Sequence, residues 1–268
     1  ILSGLVGSEM CIRDRAGCAD YIMQAFSGFA RVNGAPGETL EAFRFTGFLD
    51  LTTASVATEA VLAALLEREI SGEGQKVEVS MLEAALEIQC TRMAEYLGGG
   101  LTPQPRGSQS PALAPDRAFA ALDCEVFVTA HTDAEFAGFC RALGRPELAH
   151  DARFASNRAR VAHADALTAE VAPLFVQRPA LWWQRVMNRE GVACTPAFQF
   201  ETFRHHLQVV ANDMIANLAT PDWGTVAVAG TPWHFAQTPC TVTAPPRPGE
   251  DTAAVRAELA ARKAKAGA

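Results

Sequence analysis

The stretch that most constrains the fold is a helix, a glycine stop, a strand and a second helix in direct succession. Thr52 to Glu69 is mostly Ala, Val and Leu, which predicts a long helix packed on most sides. Ser71-Gly72-Glu73-Gly74 supplies the stop. In Lys76–Ser80, Val77 and Val79 alternate with polar residues, which predicts a short strand, and Met81 to Tyr96 returns to helical spacing. That order is an α/β signature. The most apolar part of the first helix, Ala54 to Leu66, is 13 residues long and carries Glu59. A bilayer span needs about 20 apolar residues, so no span is expected.

Gly98 to Pro115 is rich in Gly and Pro and reads as a linker over 98–115. Beyond it, Glu125–Ala130 predicts a strand, and Thr132-Asp133-Ala134-Glu135 spells a capping box. Phe136, Phe139, Cys140 and Leu143 then share one helical face that Gly144 ends. Further helices are expected over Ala162–Val176 and Pro179–Arg189. These elements predict a small α+β domain over 116–213. In the return segment 214–268, Val226–Ala229, Trp233–Phe235 and Thr241–Thr243 look strand-like, and a helix closes the chain near Thr252–Lys265.

At about 150 residues per domain, 268 residues make one large or two small domains. The net charge is −7, and the one basic cluster, Arg262, Lys263 and Lys265, falls at the end of the last helix. Cations complement the helix dipole there, so neither nucleic acid nor an anionic membrane is an expected partner. The seven cysteines (11, 18, 90, 124, 140, 194, 240) are odd in number and contain no C-x-x-C. Reduced thiols and a cytoplasmic setting are therefore expected. The first fifteen residues resemble a translated sequencing-adapter stretch and are set apart as 1–15; the large-domain portion then runs over 16–97.

Several chemistries lack their signatures. No G-x-G-x-x-G or Walker pattern is present, and Gly98-Gly99-Gly100 reads as a linker turn. The six His have no zinc spacing, and His205-His206 on a helix would point to different sides. No metal is expected. No G-x-S-x-G elbow is present. Asp50 stands out, between apolar residues and just before the long helix. One reading makes it the N-cap, accepting from the free N–H groups of the first turn. The other makes it a nucleophile, charged by preference at the positive helix end and stripped of water by its neighbours. The residues alone leave both open.

Phe45 to Leu86 resembles the central block of the class III CoA-transferases, the formyl-CoA and carnitine-CoA transferase family. The matching pieces are Asp50, Ala63-Ala64-Leu65, Arg68, Ser71-Gly72-Glu73-Gly74-Gln75, Val77 and Val79-Ser80, without a gap. Asp20, Gln24-Ala25 and Ser27-Gly28 resemble another family segment, and Pro105-Arg106-Gly107 with Ala114-Pro115 fits its linker. Asp151-Ala152-Arg153-Phe154 and Gly230-Thr231-Pro232 extend the likeness toward the C-terminus.

The resemblance implies an α/β fold of the family's type: a partial Rossmann-like large domain, its N-terminal half missing, plus a small α+β domain. It implies transfer of CoA between an acyl-CoA and a carboxylic acid, with Asp50 as the acylated nucleophile. Preorganised N–H donors would stabilise the oxyanions. Asp20, Gln24 and Gly107 would be substrate-binding, with no cofactor beyond the CoA thioester itself; Asp20 would position the nucleophile or substrate, with a plain turn residue as the other reading. The full protein would be an interlocked homodimer, and this chain alone an incomplete enzyme. Three departures qualify the match: Ala54 replaces a usual Gly, Asp123-Cys124 a usual Asp-Gly, and Gly107-Ser108-Gln109-Ser110 a glycine-rich loop. The last departure speaks against oxalate or formate as substrate. An acyl-CoA racemase of the same fold is the alternative, but its His before the acidic residue is Ala19 here. An inactive fragment is the other alternative.

Overall fold

The computed structural model describes residues 19–38 and 40–266. The expectations for 1–15, Cys11 and Cys18 lie outside them. One compact unit ends at Pro196 and a second begins at Ala197.

The first unit opens with α1 (Asp20–Phe26), α2 (Phe29–Val32), α3 (Phe48–Ser71), α4 (Met81–Glu87) and α5 (Cys90–Gly99). Met23 of α1, Leu49 of α3, and Met81 and Ala85 of α4 form a small buried core. This core fixes the N-terminal end of α3. The rest of α3 does not meet expectation: Leu49 is its one buried residue, and Leu62, Leu66 and Ile70 are exposed. Nothing among the described residues covers that apolar surface. At 24 residues, with a mean hydropathy of 1.5 over its best window, α3 is long and apolar enough to cross a membrane by length and composition alone. The expectation of no such segment looked only at Ala54–Leu66. The core helix of a soluble protein meets the same criterion.

Gly72 closes α3 in the left-handed conformation, its N–H donating to the Arg68 carbonyl at 2.9 Å. The expected strand Lys76–Ser80 is not formed. A strand requires a partner ladder, and this extended segment has none among the described residues. Ser80 instead starts α4 through a reciprocal capping box with Glu83. The single helix expected over Met81–Tyr96 breaks at Gln89. Its side-chain amide takes the Ala85 carbonyl at 2.9 Å, while its backbone N–H turns to Leu86.

After an irregular stretch come β1 (Asp116–Ala120), β2 (Glu125–Thr129), α6 (Asp133–Ala142), a 3₁₀ turn (Pro146–His150), α7 (Asn157–Ala162), α8 (Ala164–Phe175), α9 (Ala180–Arg189) and β3 (Ala193–Pro196). The sheet is antiparallel in the order β1-β2-β3, with Phe119 opposite Val126 and Val128 opposite Cys194. Val126 and Val128 face a core that holds Phe119, Phe136, Phe139, Phe175, Trp183 and Met187. Phe119 stacks on Phe175 at 4.4 Å, and the Trp183 indole N–H donates to the Phe175 carbonyl at 2.8 Å. The α6 face is buried as its spacing predicts. Thr132 caps Glu135, but the Glu135 carboxylate accepts from His131 rather than Thr132. Gly138 is required for packing: a Cβ there would lie 2.4 Å from the Glu190 carbonyl oxygen. The helix expected over Ala162–Val176 is α8, and α7 precedes it across His163.

Arg160 is fully buried. Its Nε donates to Ala114 at 2.7 Å, its Nη1 to Phe154 at 3.0 Å, and its plane lies over Phe136. Nη2 is 2.9 Å from Asp133 Oδ1 but off the hydrogen-bonding direction, so that contact is electrostatic. A buried guanidinium must be satisfied in this way. Here it ties Ala114 to the core that holds Phe136 and Phe154.

The second unit holds α10 (Phe200–Phe203), α11 (Leu207–Ala211), the hairpin β4 (Ile215–Thr220) and β5 (Gly224–Ala229), and α12 (Thr252–Ala266). Trp233–Phe235 and Thr241–Thr243 are not strands. Pro232, Pro239, Pro245 and Pro246 flank them and lack ladder donors. His205 and His206 lie in the turn between α10 and α11 rather than on a helix, and His206 Nδ1 accepts from Gln208 N at 3.2 Å. The fold is thus mixed α and β. Both sheets among the described residues are antiparallel, so the Rossmann-like parallel part is not found among them.

Candidate functional site

The site forms where α1 meets the start of α3. Asp20 is the first residue of α1 and is buried. Its carboxylate reaches across the sequence: Oδ2 accepts from Leu49 N at 2.6 Å and Asp50 N at 3.1 Å. Oδ1 accepts from Gln24, one turn on along α1. Gln24 is fully buried and meets both backbone groups of Phe43, accepting from its N–H at 2.7 Å and donating to its carbonyl at 3.0 Å. The Phe43 ring meets Phe48 edge-on, and Phe29 stacks on Phe48. The first turn of α3 is therefore held from α1, from Phe43 and from the small core at once.

Asp50 is the third residue of α3, not its N-cap. That position belongs to Gly47, which has no side chain to offer, and Asp20 caps the helix from a distance. A helix start has four backbone N–H groups without an intrahelical partner. Of these, Phe48 N–H donates to Thr46 at 2.9 Å, and Leu49 and Asp50 are taken by Asp20; Leu51 N–H makes the first intrahelical bond, to Gly47 O at 2.9 Å. An oxyanion cannot draw on the Leu49 and Asp50 donors without displacing the Asp20 carboxylate. The Asp50 carboxylate itself is exposed, with no hydrogen-bond partner among the described residues. The water-stripped surroundings expected for it are not present there. Its side chain folds back over the Gly47 α-carbon: a Cβ at Gly47 would lie 2.7 Å from Asp50 Oδ2.

The structure thus brings Asp20, Gln24 and Asp50 together. Gly107 makes no hydrogen bond to any of the three among the described residues. It is exposed at φ +60°, its N–H donates to Gly34 at 2.8 Å, and its nearest side-chain neighbour is Pro36. Two surface hollows, about 350 Å³ beside Phe127 and Cys194 and about 560 Å³ beside Arg247 and Asp251, include none of the three residues. Sequence reasoning offered Asp20 as a residue that positions nucleophile or substrate, but missed its hydrogen bonds to Leu49 and Asp50 and the roles of Gly47 and Phe43. An acid and a Gln four apart on α1 was the one local signal available, and it carries no address for Leu49.

The described cysteines offer no competing nucleophile in this region. All five are free thiols. Burial pushes the thiols of Cys140 and Cys194 up to about 12, so both stay protonated and unreactive near neutrality. Burial, then Asp123 and Glu125, also raise Cys124. At pH 8 a water-soluble alkylating reagent is expected to label Cys90 and Cys240, and Cys140 and Cys194 only after denaturation. Native labelling of Cys140, read by peptide mass spectrometry, would contradict this burial. No group of three or more His, Cys, Asp or Glu suited to a metal occurs among the described residues.

Comparison with known proteins places these features in context. Residues 11–252 match the model of CoA-transferase family III. The succinate–glutarate CoA-transferase of Agrobacterium fabrum is 29% identical over 246 residues, covering 90% of this chain and 60% of that protein. The acetyl-CoA:oxalate CoA-transferase of Acetobacter aceti is 29% identical, covering 92% of this chain and 62% of that protein. Among solved structures, a CAIB/BAIF family protein from Brucella suis superposes with a TM-score of 0.78 at 26% identity, covering 94% of this chain and 65% of that one. The chain spans about three-fifths of the length of these two curated relatives.

Proposed function

The chain belongs to CoA-transferase family III, and from that premise we propose that it transfers CoA between an acyl-CoA thioester and a carboxylic acid through Asp50. One observation carries this reading. Asp50 presents a carboxylate with no hydrogen-bond partner among the described residues, on a helix start whose backbone is fixed by the buried Asp20. A fixed, uncommitted carboxylate at the positive end of a helix is a usable nucleophile.

The proposed steps balance without any redox partner. An Asp50 oxygen bonds to the thioester carbon, the C–S bond breaks, and CoA leaves as thiolate from an acyl-aspartyl anhydride. The thiolate attacks the Asp50 carbonyl, the donor acid leaves, and an aspartyl-CoA thioester remains. The acceptor carboxylate displaces CoA again, and the thiolate then takes the new acyl group and restores Asp50. Each barrier is lower than that of direct exchange. Asp20 and Gln24 act here by holding the nucleophile rather than by touching substrate. The donors for the oxyanions lie elsewhere than the first turn of α3, whose N–H groups are engaged. No cofactor beyond the CoA thioester is part of this scheme. An interlocked homodimer and a cytoplasmic setting complete the proposal.

The test is CoA exchange by the full chain its gene encodes, with acetyl-CoA or succinyl-CoA as donor and a panel of short mono- and dicarboxylic acids as acceptors. A new acyl-CoA, detected by mass spectrometry, is expected with at least one pair; its absence with every pair would reject the reading. A parallel incubation in deuterated water with a 2-methylacyl-CoA should leave the α-proton in place. Ala19 stands where a racemase would need a proton-carrying side chain, and fast acid-independent exchange would favour that activity instead.

A further inference from the structure

We propose that Gly47 is a positioning residue for the Asp50 carboxylate, present for the room it leaves rather than for its backbone freedom. This rests on the reading of Asp50 as the acylated group. Gly47 has φ −70° and ψ 77°, and Phe48 N–H donates to Thr46 O at 2.9 Å across it. Those values describe an inverse γ-turn, which any L-residue can adopt. Gly72 is the contrast, since its φ of +78° demands glycine. A Cβ on Gly47, however, would lie 2.7 Å from Asp50 Oδ2, 3.2 Å from Asp50 Cβ and 3.3 Å from Asp50 Cγ.

The crowding therefore involves the whole side chain. Turning the carboxylate about its last bond would free Oδ2 but leave the Cβ contact. Two amides of the first turn, Leu49 and Asp50 N–H, are already held by Asp20. The Asp50 carboxylate thus occupies the open face of Gly47. A methyl at Gly47 pushes the carboxylate off this position while leaving the hydrogen bonds of the turn available. Displacing a reacting group by about 1 Å can cost roughly 100-fold in rate.

The test uses Gly47→Ala in the full chain, with wild type, Asp50→Ala and the double variant alongside. Mass spectrometry of the Asp50 peptide after mixing with acyl-CoA reads the bond formed to Asp50 as CoA thiolate departs. In wild type an adduct is expected, and its absence counts against the acylation reading itself. In Gly47→Ala the adduct should form about 100-fold more slowly, with kcat falling in step and the acyl-CoA KM changing by less than about threefold, the pattern of lost positioning rather than lost binding. Thermal unfolding tests the contact independently of activity. Alanine is a poorer N-cap than glycine, and Asp50→Ala removes the Oδ2 and Cγ contacts while keeping the 3.2 Å Cβ contact, so Gly47→Ala should lower Tm less in the Asp50→Ala background than when Asp50 is present. A Tm change of the same sign and size in both backgrounds, or wild-type adduct rates in Gly47→Ala, would overturn the proposal.

Discussion

Asp50→Ala is expected to abolish CoA transfer, lowering turnover by at least about 10³-fold, in a protein that still folds. The structure separates these two effects more cleanly than an N-cap would. Removing an N-cap costs about 0.5–2 kcal/mol, but the cap of α3 is Asp20, and the Asp50 N–H it accepts survives the substitution. What Asp50→Ala loses in stability is the favourable placement of a charge at the helix start, about 0.3–1 kcal/mol for an exposed group. Urea unfolding should therefore move by under about 1 kcal/mol while acyl exchange and the aspartyl adduct both disappear. Asp50→Asn, which keeps the shape and removes the nucleophile, should behave alike. Near-wild-type turnover in either folded variant would remove Asp50 from the chemistry.

Asp20→Ala is expected to do the reverse, harming stability most and chemistry through it. Leu49 is fully buried, and Asp20 is the acceptor for its N–H. Alanine leaves that N–H, the Asp50 N–H and one Gln24 N–H bond unmet. Hydrogen bonds to a charged group are worth about 1.5–3 kcal/mol each, but they act as one network and do not add. A loss of about 3 kcal/mol in urea unfolding is the expected size. Asp20→Asn keeps one accepting oxygen and should lose about half as much. The Asp50 adduct should still form in Asp20→Ala, but slowly, because the first turn of α3 is no longer held. If Asp20→Ala is as stable as wild type, the anchoring described here is wrong.

What was legible in the sequence follows the range of each interaction. The buried face of α6, the Thr132 cap and the Gly72 stop all depend on residues within four positions of one another, and the helical period exposes them directly. Asp50 was legible as a residue at a helix start, and a motif resemblance gave it a role. The N-cap reading failed because the acceptor that caps α3 comes from Asp20, 30 residues away. The strand expected over Lys76–Ser80 failed because alternation states only which residues could form a strand, whereas a ladder needs a second chain segment beside it. β1 illustrates the converse. Asp116-Arg117-Ala118-Phe119-Ala120 has little β character by composition, yet it pairs along its whole length with β2. The sequence by itself therefore determined the helices with local stops and caps and the apolar face of α6, and it singled out Asp50 as a candidate. The tertiary structure alone decided that Asp20 and Gln24 hold the start of α3 and that the Asp50 carboxylate lies against Gly47. Helix periodicity is a property of neighbours in sequence, and a site is a property of neighbours in space.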